Sequence, residues 1–137
     1  MKIKKLLITS IAITIFDIIV GMACCGGIFL WVYKIEPVNL WRPMDNGPGM
    51  FFLIGTLILN LILVFFYGLF KKGIPGKSLV AKGLLFGLFV FLIGMLPGML
   101  ATYTFMTVAT TVVLYWTILG LVQQPIKGVL IALIYGK

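Results

Sequence analysis

An all-α, antiparallel four-helix transmembrane bundle with both ends in the cytoplasm is the fold this sequence predicts, and three observations predict it. Hydrophobic residues make up 62% of the chain and charged residues 10%, a balance that a water-soluble domain of 137 residues could not bury. The apolar residues gather into four runs long enough to cross a bilayer. Most of the lysines fall on one side of those runs.

A spanning helix needs about 20 mostly apolar residues at about 1.5 Å each. The first run covers residues 6–33. A basic start followed by an apolar stretch has the outline of a secretory signal, and Ala23-Cys24 that of a lipoprotein cleavage site. The apolar run nevertheless passes through both cysteines to Tyr33, and Gly21 stands where such a signal wants Leu, so the segment is read as a retained first helix. Pro37, Pro43, Gly47 and Pro48 then stop helices and set turns, which makes residues 34–49 a loop rather than a fifth span. The second run is residues 50–70, and Gly73, Pro75 and Gly76 separate it from the third, residues 79–100. Residues 101–106 are read as the shortest connection, and residues 107–135 as the fourth span, which Pro125 should bend. Residues 1–137 thus form a single integral membrane domain.

Orientation follows from the basic residues. Lys2, Lys4, Lys5, Lys71, Lys72, Lys77, Lys82 and Lys137 share one side, whereas Lys34 and Arg42 on the other are offset by Glu36 and Asp45. The lysine-rich side is expected to be cytoplasmic, in a prokaryotic cytoplasmic membrane. Trp31, Tyr33, Trp41 and Tyr103 would then form an outer aromatic belt, and Tyr67 and Tyr135 an inner one. The net charge of +8 does not point to nucleic acid, because the basic residues sit at the ends of apolar runs rather than on a polar face. Membrane lipids are the expected contact.

Lipid is as apolar as leucine, so small and polar residues mark the faces where helices meet. Ser10, Thr14, Asp17, Gly21 and Cys24 recur at steps of four and three on one stripe of the first helix. In the third, Gly83, Gly87, Gly94 and Gly98 fall within about 60° of one another on a regular α-helix, which predicts one packed face. In the fourth, Gly120, Gln124, Gly128, Ala132 and Gly136 recur every four residues as a second seam.

Asp17 is the most informative residue, because a carboxylate inside a spanning helix is costly and either pairs or serves a pathway. Counted from the cytoplasmic ends, Asp17, Asn60 and Lys127 lie at similar depth, with Gln123 and Gln124 slightly deeper. A polar layer linking the first, second and fourth helices is expected, with Lys127 or Gln124 as the partner of Asp17. Such a layer serves either as a structural latch or as a proton, cation or ligand site. Cys24 and Cys25 raise a soft metal, and paired cysteines in a first helix resemble the mercury-transport membrane proteins. This chain has no second pair and no histidine, and adjacent cysteines diverge by about 100°, so no metal site is expected. Trp41 and Arg42 mark the outer loop as the place for an outer partner or lid. Gly76-Lys77-Ser78 lacks the earlier glycine and the leading strand of a phosphate-binding loop.

Without histidine and with three carboxylates, the chain offers no catalytic set and no histidine-ligated haem; neither enzyme activity nor a cofactor is expected. Asp17 inside the first helix, Leu40-Trp41-Arg42-Pro43 beyond it, and a Gly-Lys turn before a glycine-rich third helix together resemble a family of small, functionally uncharacterised four-span prokaryotic membrane proteins. The resemblance implies the same topology and supplies no activity. Such proteins tend to carry an acidic residue in the fourth helix where this chain has Gln123-Gln124, a departure that argues against a proton relay. The expected role is non-enzymatic: an accessory, assembly or stabilising subunit of a larger membrane complex, or a homo-oligomer. The alternative is a minimal transporter or channel for a cation, proton or small molecule that uses Asp17.

Overall fold

The computed structural model describes residues 3–41 and 49–136, and every regular element in it is helical. Helix α1 (Ile3–Ala23) widens into one π-helical turn, Cys24–Ile28, and after Phe29 the chain closes with a 3-10 turn, Leu30–Lys34. The adjacent glycines Gly26 and Gly27 lie in the widened turn, where poor helix formers weaken the regular ladder. The first spanning helix therefore ends at Ile28, earlier than the apolar run ends. Helix α2 (Met50–Phe70) matches its expected bounds.

The third span, Leu79–Phe105, is two helices joined end to end: α3 (Leu79–Val90) and α4 (Leu96–Phe105), with a π-helical turn at Phe91–Met95 between them. Ser78 starts α3 as its N-cap, its Oγ accepting from the Ala81 N–H at 3.1 Å. The Gly-Lys-Ser sequence is thus a helix start, and Gly76 before it takes φ +140°, a conformation suited to glycine. Pro97 sits in the first turn of α4, just after the wide turn; a proline ring in a regular helix would press on the carbonyl four residues back. Residues 101–106 are not a connection. The helix runs on to Phe105, because Ala101 to Phe105 include neither Gly nor Pro, and the Thr102 and Thr104 hydroxyls donate to the carbonyls of Gly98 and Leu100. The turn falls instead between Phe105 and Thr110, where α5 (Thr110–Tyr135) begins. Pro125 lies inside α5, which remains one helix across it.

Helix α5 is the centre of the bundle and packs against each of the other four helices, most extensively against α3. Helix α2 rests mainly on α1. Leu6, Tyr67, Ile74 and Tyr135 share one buried cluster, so the start of α1, the α2–α3 turn and the end of α5 lie at the same end of the bundle. Successive spans are accordingly antiparallel. Tyr67 and Tyr135 are core residues, 0% and 6% exposed, rather than an inner aromatic belt. They meet edge to face, and Tyr67 meets Phe86 likewise, so aromatic packing draws these rings inward.

The outer surface is apolar over its whole length: Phe51, Leu59, Ile93 and Leu100 are all more than half exposed. A surface of this kind requires lipid around it. Four helices long and apolar enough to cross a membrane define a small integral membrane protein.

Candidate functional site

Halfway along the bundle the apolar interior is interrupted by three polar side chains that close on one carboxylate, with Thr14 bonded to one of them. The Lys127 Nζ lies 2.6 Å from Asp17 Oδ2, and the Asn60 amide donates to the same oxygen at 2.8 Å. Gln123 donates to Asp17 Oδ1 at 3.1 Å. The second proton of the Asn60 amide goes to Thr14 Oγ1 at 3.1 Å, and the Thr14 hydroxyl in turn donates to the Ser10 carbonyl at 2.8 Å. Both carboxylate oxygens are thereby used, by donors from α2 and α5.

Helical period explains the assembly. Thr14 and Asp17 stand three residues apart and Gln123 and Lys127 four apart, so each pair presents one face. Asn60 supplies the third corner from the middle of α2. Lys127 is 7% exposed and Asn60 2%, so both have left the lipid for the interior. Burying a basic side chain is costly unless an opposite partner meets it, and Asp17 stands in that place for Lys127. The layer can hold three helices in register. Chemically it also has what a cation or proton site needs, a carboxylate with an exchangeable ammonium beside it.

Of the residues expected in the layer, Asp17, Asn60, Gln123 and Lys127 are brought together. Gln124 is not. One residue from Gln123, its side chain leaves the helix about 100° away from that of Gln123, and its backbone carbonyl faces Gly87 of α3. Thr14, expected only as part of an inward stripe, is a full member. Farther along that stripe, space for a Cβ at Gly21 is open to 4 Å.

The glycines expected to pack the third and fourth spans divide into three groups. A Cβ at Gly83 would meet Val129 Cα at 2.6 Å, one at Gly87 would meet Pro125 Cα at 2.6 Å, and one at Gly128 would meet the Gly87 N at 2.7 Å. These three are backbone against backbone. Gly120 faces the Met95 thioether instead. Gly94 and Gly98 are not packing residues: nothing lies within 4 Å of a Cβ at either. The π-helical turn inserts one residue into the third span, which moves the seam from Gly94 to Met95 and turns both later glycines outward.

At the opposite end of the bundle from the α2–α3 turn is an aromatic collar. Trp116 Nε1 donates to the Tyr33 hydroxyl at 2.8 Å, and Trp41 meets both rings nearly edge-on, at centroid distances of 5.2 and 5.9 Å. Burial, and after it the neighbouring Cys25 thiol, pushes the Tyr33 phenol above its ordinary value. The Tyr115 hydroxyl donates to the Cys24 carbonyl at 3.0 Å. Trp41 therefore ties the loop to α5, with Trp31 and Tyr103 left exposed at the surface. Glu36 accepts from the Val38 N–H at 3.1 Å, a turn within the loop. Arg42 and Asp45 lie outside the described residues. Cys24 and Cys25 are free thiols, and among the described residues no three Cys, Asp or Glu side chains are grouped to hold a metal. Tyr115 and Trp116 carried no signal in the sequence, because aromatic residues inside a spanning helix read as lipid-facing.

Comparison with the models of known protein families, with curated proteins and with solved structures finds no match to this chain.

Proposed function

We propose that this protein is a non-enzymatic accessory or assembly subunit of a prokaryotic cytoplasmic membrane, with both termini cytoplasmic, acting on other membrane subunits or on further copies of itself through its helical faces. One observation carries the reading: both oxygens of the single intramembrane carboxylate among the described residues are held by internal donors from two other helices. The polar layer then works as a latch, and what the bundle offers to partners is its apolar exterior and its outer loop.

The competing reading is a minimal transporter or channel for a cation, proton or small molecule. It is favoured by the lysine beside Asp17 at mid-membrane depth, since a charge pair that can open could pass a proton or admit a cation. Reconstituted vesicles decide between the two. With a pH- or potassium-gradient dye, protein-containing vesicles should leak no faster than empty ones, and mild purification followed by native mass spectrometry should reveal a stoichiometric partner or a homo-oligomer. Flux that disappears in Asp17→Asn while the protein stays folded would establish the transporter.

The orientation has its own test. In a background lacking Cys24 and Cys25, single cysteines at Asn39 and Gly73 should differ toward an impermeant maleimide added to intact cells: Asn39→Cys should label and Gly73→Cys should not. The reverse pattern would place the lysine-rich end outside.

A further inference from the structure

Six described lysines, Lys4, Lys5, Lys71, Lys72, Lys77 and Lys82, stand at the end of the bundle that holds the α2–α3 turn. Among the described residues no carboxylate accompanies them: Glu36 is in the loop at the other end, and Asp17 is at mid-depth with its charge met by Lys127. Exposed lysines here account for orientation and nothing more. Lys71 and Lys82 are half-buried, as Lys5 also is, and what sets them apart is that, among the described residues, theirs are the ammonium groups of the six that meet another group of the protein.

Both residues meet at the end of α2, Lys82 through the Lys71 backbone and Lys71 through the Tyr135 ring. Lys71 Nζ sits 5.2 Å from the centroid of the Tyr135 ring. Lys82 Nζ donates to the Lys71 carbonyl at 3.4 Å, a long contact with the C-terminal end of α2. A ring face and one carbonyl occupy few of the six N–H donors on the two groups, and two like charges at one corner repel. An anion between them would remove both costs. The corner lies where the spanning helices end, which is the depth of lipid headgroups. Directly beside it Leu69, Phe70 and Val80 are exposed by 55%, 58% and 45%, an apolar surface that continues into the acyl-chain region.

We propose that this corner binds the phosphate of an anionic phospholipid, gripped by Lys71 and Lys82, with Lys72 and Lys77 strengthening the local field and the adjacent apolar side chains taking the acyl chains. The flanking apolar surface is what selects a lipid over a free phosphate. This inference rests on the membrane-spanning fold and not on the accessory role, so its failure would leave the flux and partner results untouched.

The test is titration of the detergent-solubilised protein with phosphatidylglycerol or phosphatidylcholine, read by native mass spectrometry. Wild type should bind the anionic phosphatidylglycerol more tightly than the zwitterionic phosphatidylcholine. Lys71→Gln with Lys82→Gln should weaken that binding about thirtyfold, the equivalent of about 2 kcal/mol at about 1 kcal/mol for each direct ammonium–phosphate hydrogen bond lost. Lys4→Gln with Lys5→Gln, which removes the same formal charge from the same end, should weaken it less than about threefold, and Lys71→Arg with Lys82→Arg should largely retain it. If the double glutamine variant does not fold, the single Lys71→Gln and Lys82→Gln variants carry the comparison, each expected to lose about fivefold, about 1 kcal/mol for one direct hydrogen bond. Equal losses at both lysine pairs would show a diffuse basic surface and overturn the site. Competition by inorganic phosphate as strong as by lipid would overturn its assignment to phospholipid.

Discussion

Gly87→Leu should lower the stability of the detergent-solubilised bundle by at least about 3 kcal/mol, the upper range for overpacking a well-packed interior. A Cβ there meets the Gln124 carbonyl and the Pro125 Cα, and backbone atoms cannot rotate aside as a long side chain can. The obstruction also falls between α3 and α5, the most extensive contact in the bundle, so the two helices would have to separate along their length. Gly94→Ala, seven residues on, should change stability by no more than about 1 kcal/mol and in the favourable direction, since alanine is the better helix former and meets nothing within 4 Å. Thermal unfolding of both variants in one detergent makes the comparison. Equal loss at the two positions would mean that the third span is a regular helix without its π-helical turn.

The second large effect belongs to the ion pair. Asp17→Leu and Lys127→Met should each cost about 3–5 kcal/mol, because each leaves the opposite charge buried without its partner. Made together they should cost clearly less than the sum, since no lone charge remains and the residual loss is that of the Asn60 and Gln123 contacts to Asp17. Asp17→Asn should fall between wild type and Asp17→Leu, because an amide still accepts from Asn60 or Gln123 while the attraction to Lys127 is lost. A double-mutant cycle by chemical or thermal unfolding measures the coupling. Strict additivity would show that Asp17 and Lys127 do not interact in the folded protein, and the latch would lose its central bond.

The four-span helical arrangement and most of the polar layer were legible in the sequence for a simple reason. Spanning length, helical period and depth counted from the ends are properties of single helices, and they suffice to place Asp17, Asn60, Gln123 and Lys127 at one level. Which of Gln123 and Gln124 enters the layer was not legible. Both lie at the same depth, and the choice depends on how α5 is rotated, which its contact with α3 decides. The aromatic collar was only partly legible for a related reason: Tyr33 and Trp41 fall in the expected outer belt, but Trp116 lies far along the chain from both, and an aromatic residue inside a spanning helix signals no partner.

Composition, lysine placement and the four apolar runs by themselves determined an all-helical chain with four spans and a carboxylate needing company inside. Tertiary structure alone decided the rest. The π-helical turn at Phe91–Met95 shifts every later residue of the third span by about one helical step, so that Met95 takes the seam and Gly94 and Gly98 face outward. Periodicity drawn on a regular helix cannot register such an insertion, because it arises where Pro97 and the packing against α5 must be met together. The same holds for Tyr67 and Tyr135, whose composition suits an interface but whose rings find one another, and Phe86, inside the bundle. Side-chain identity sets what a residue can do at a given depth; the rotation of each helix about its own axis sets which residue meets which.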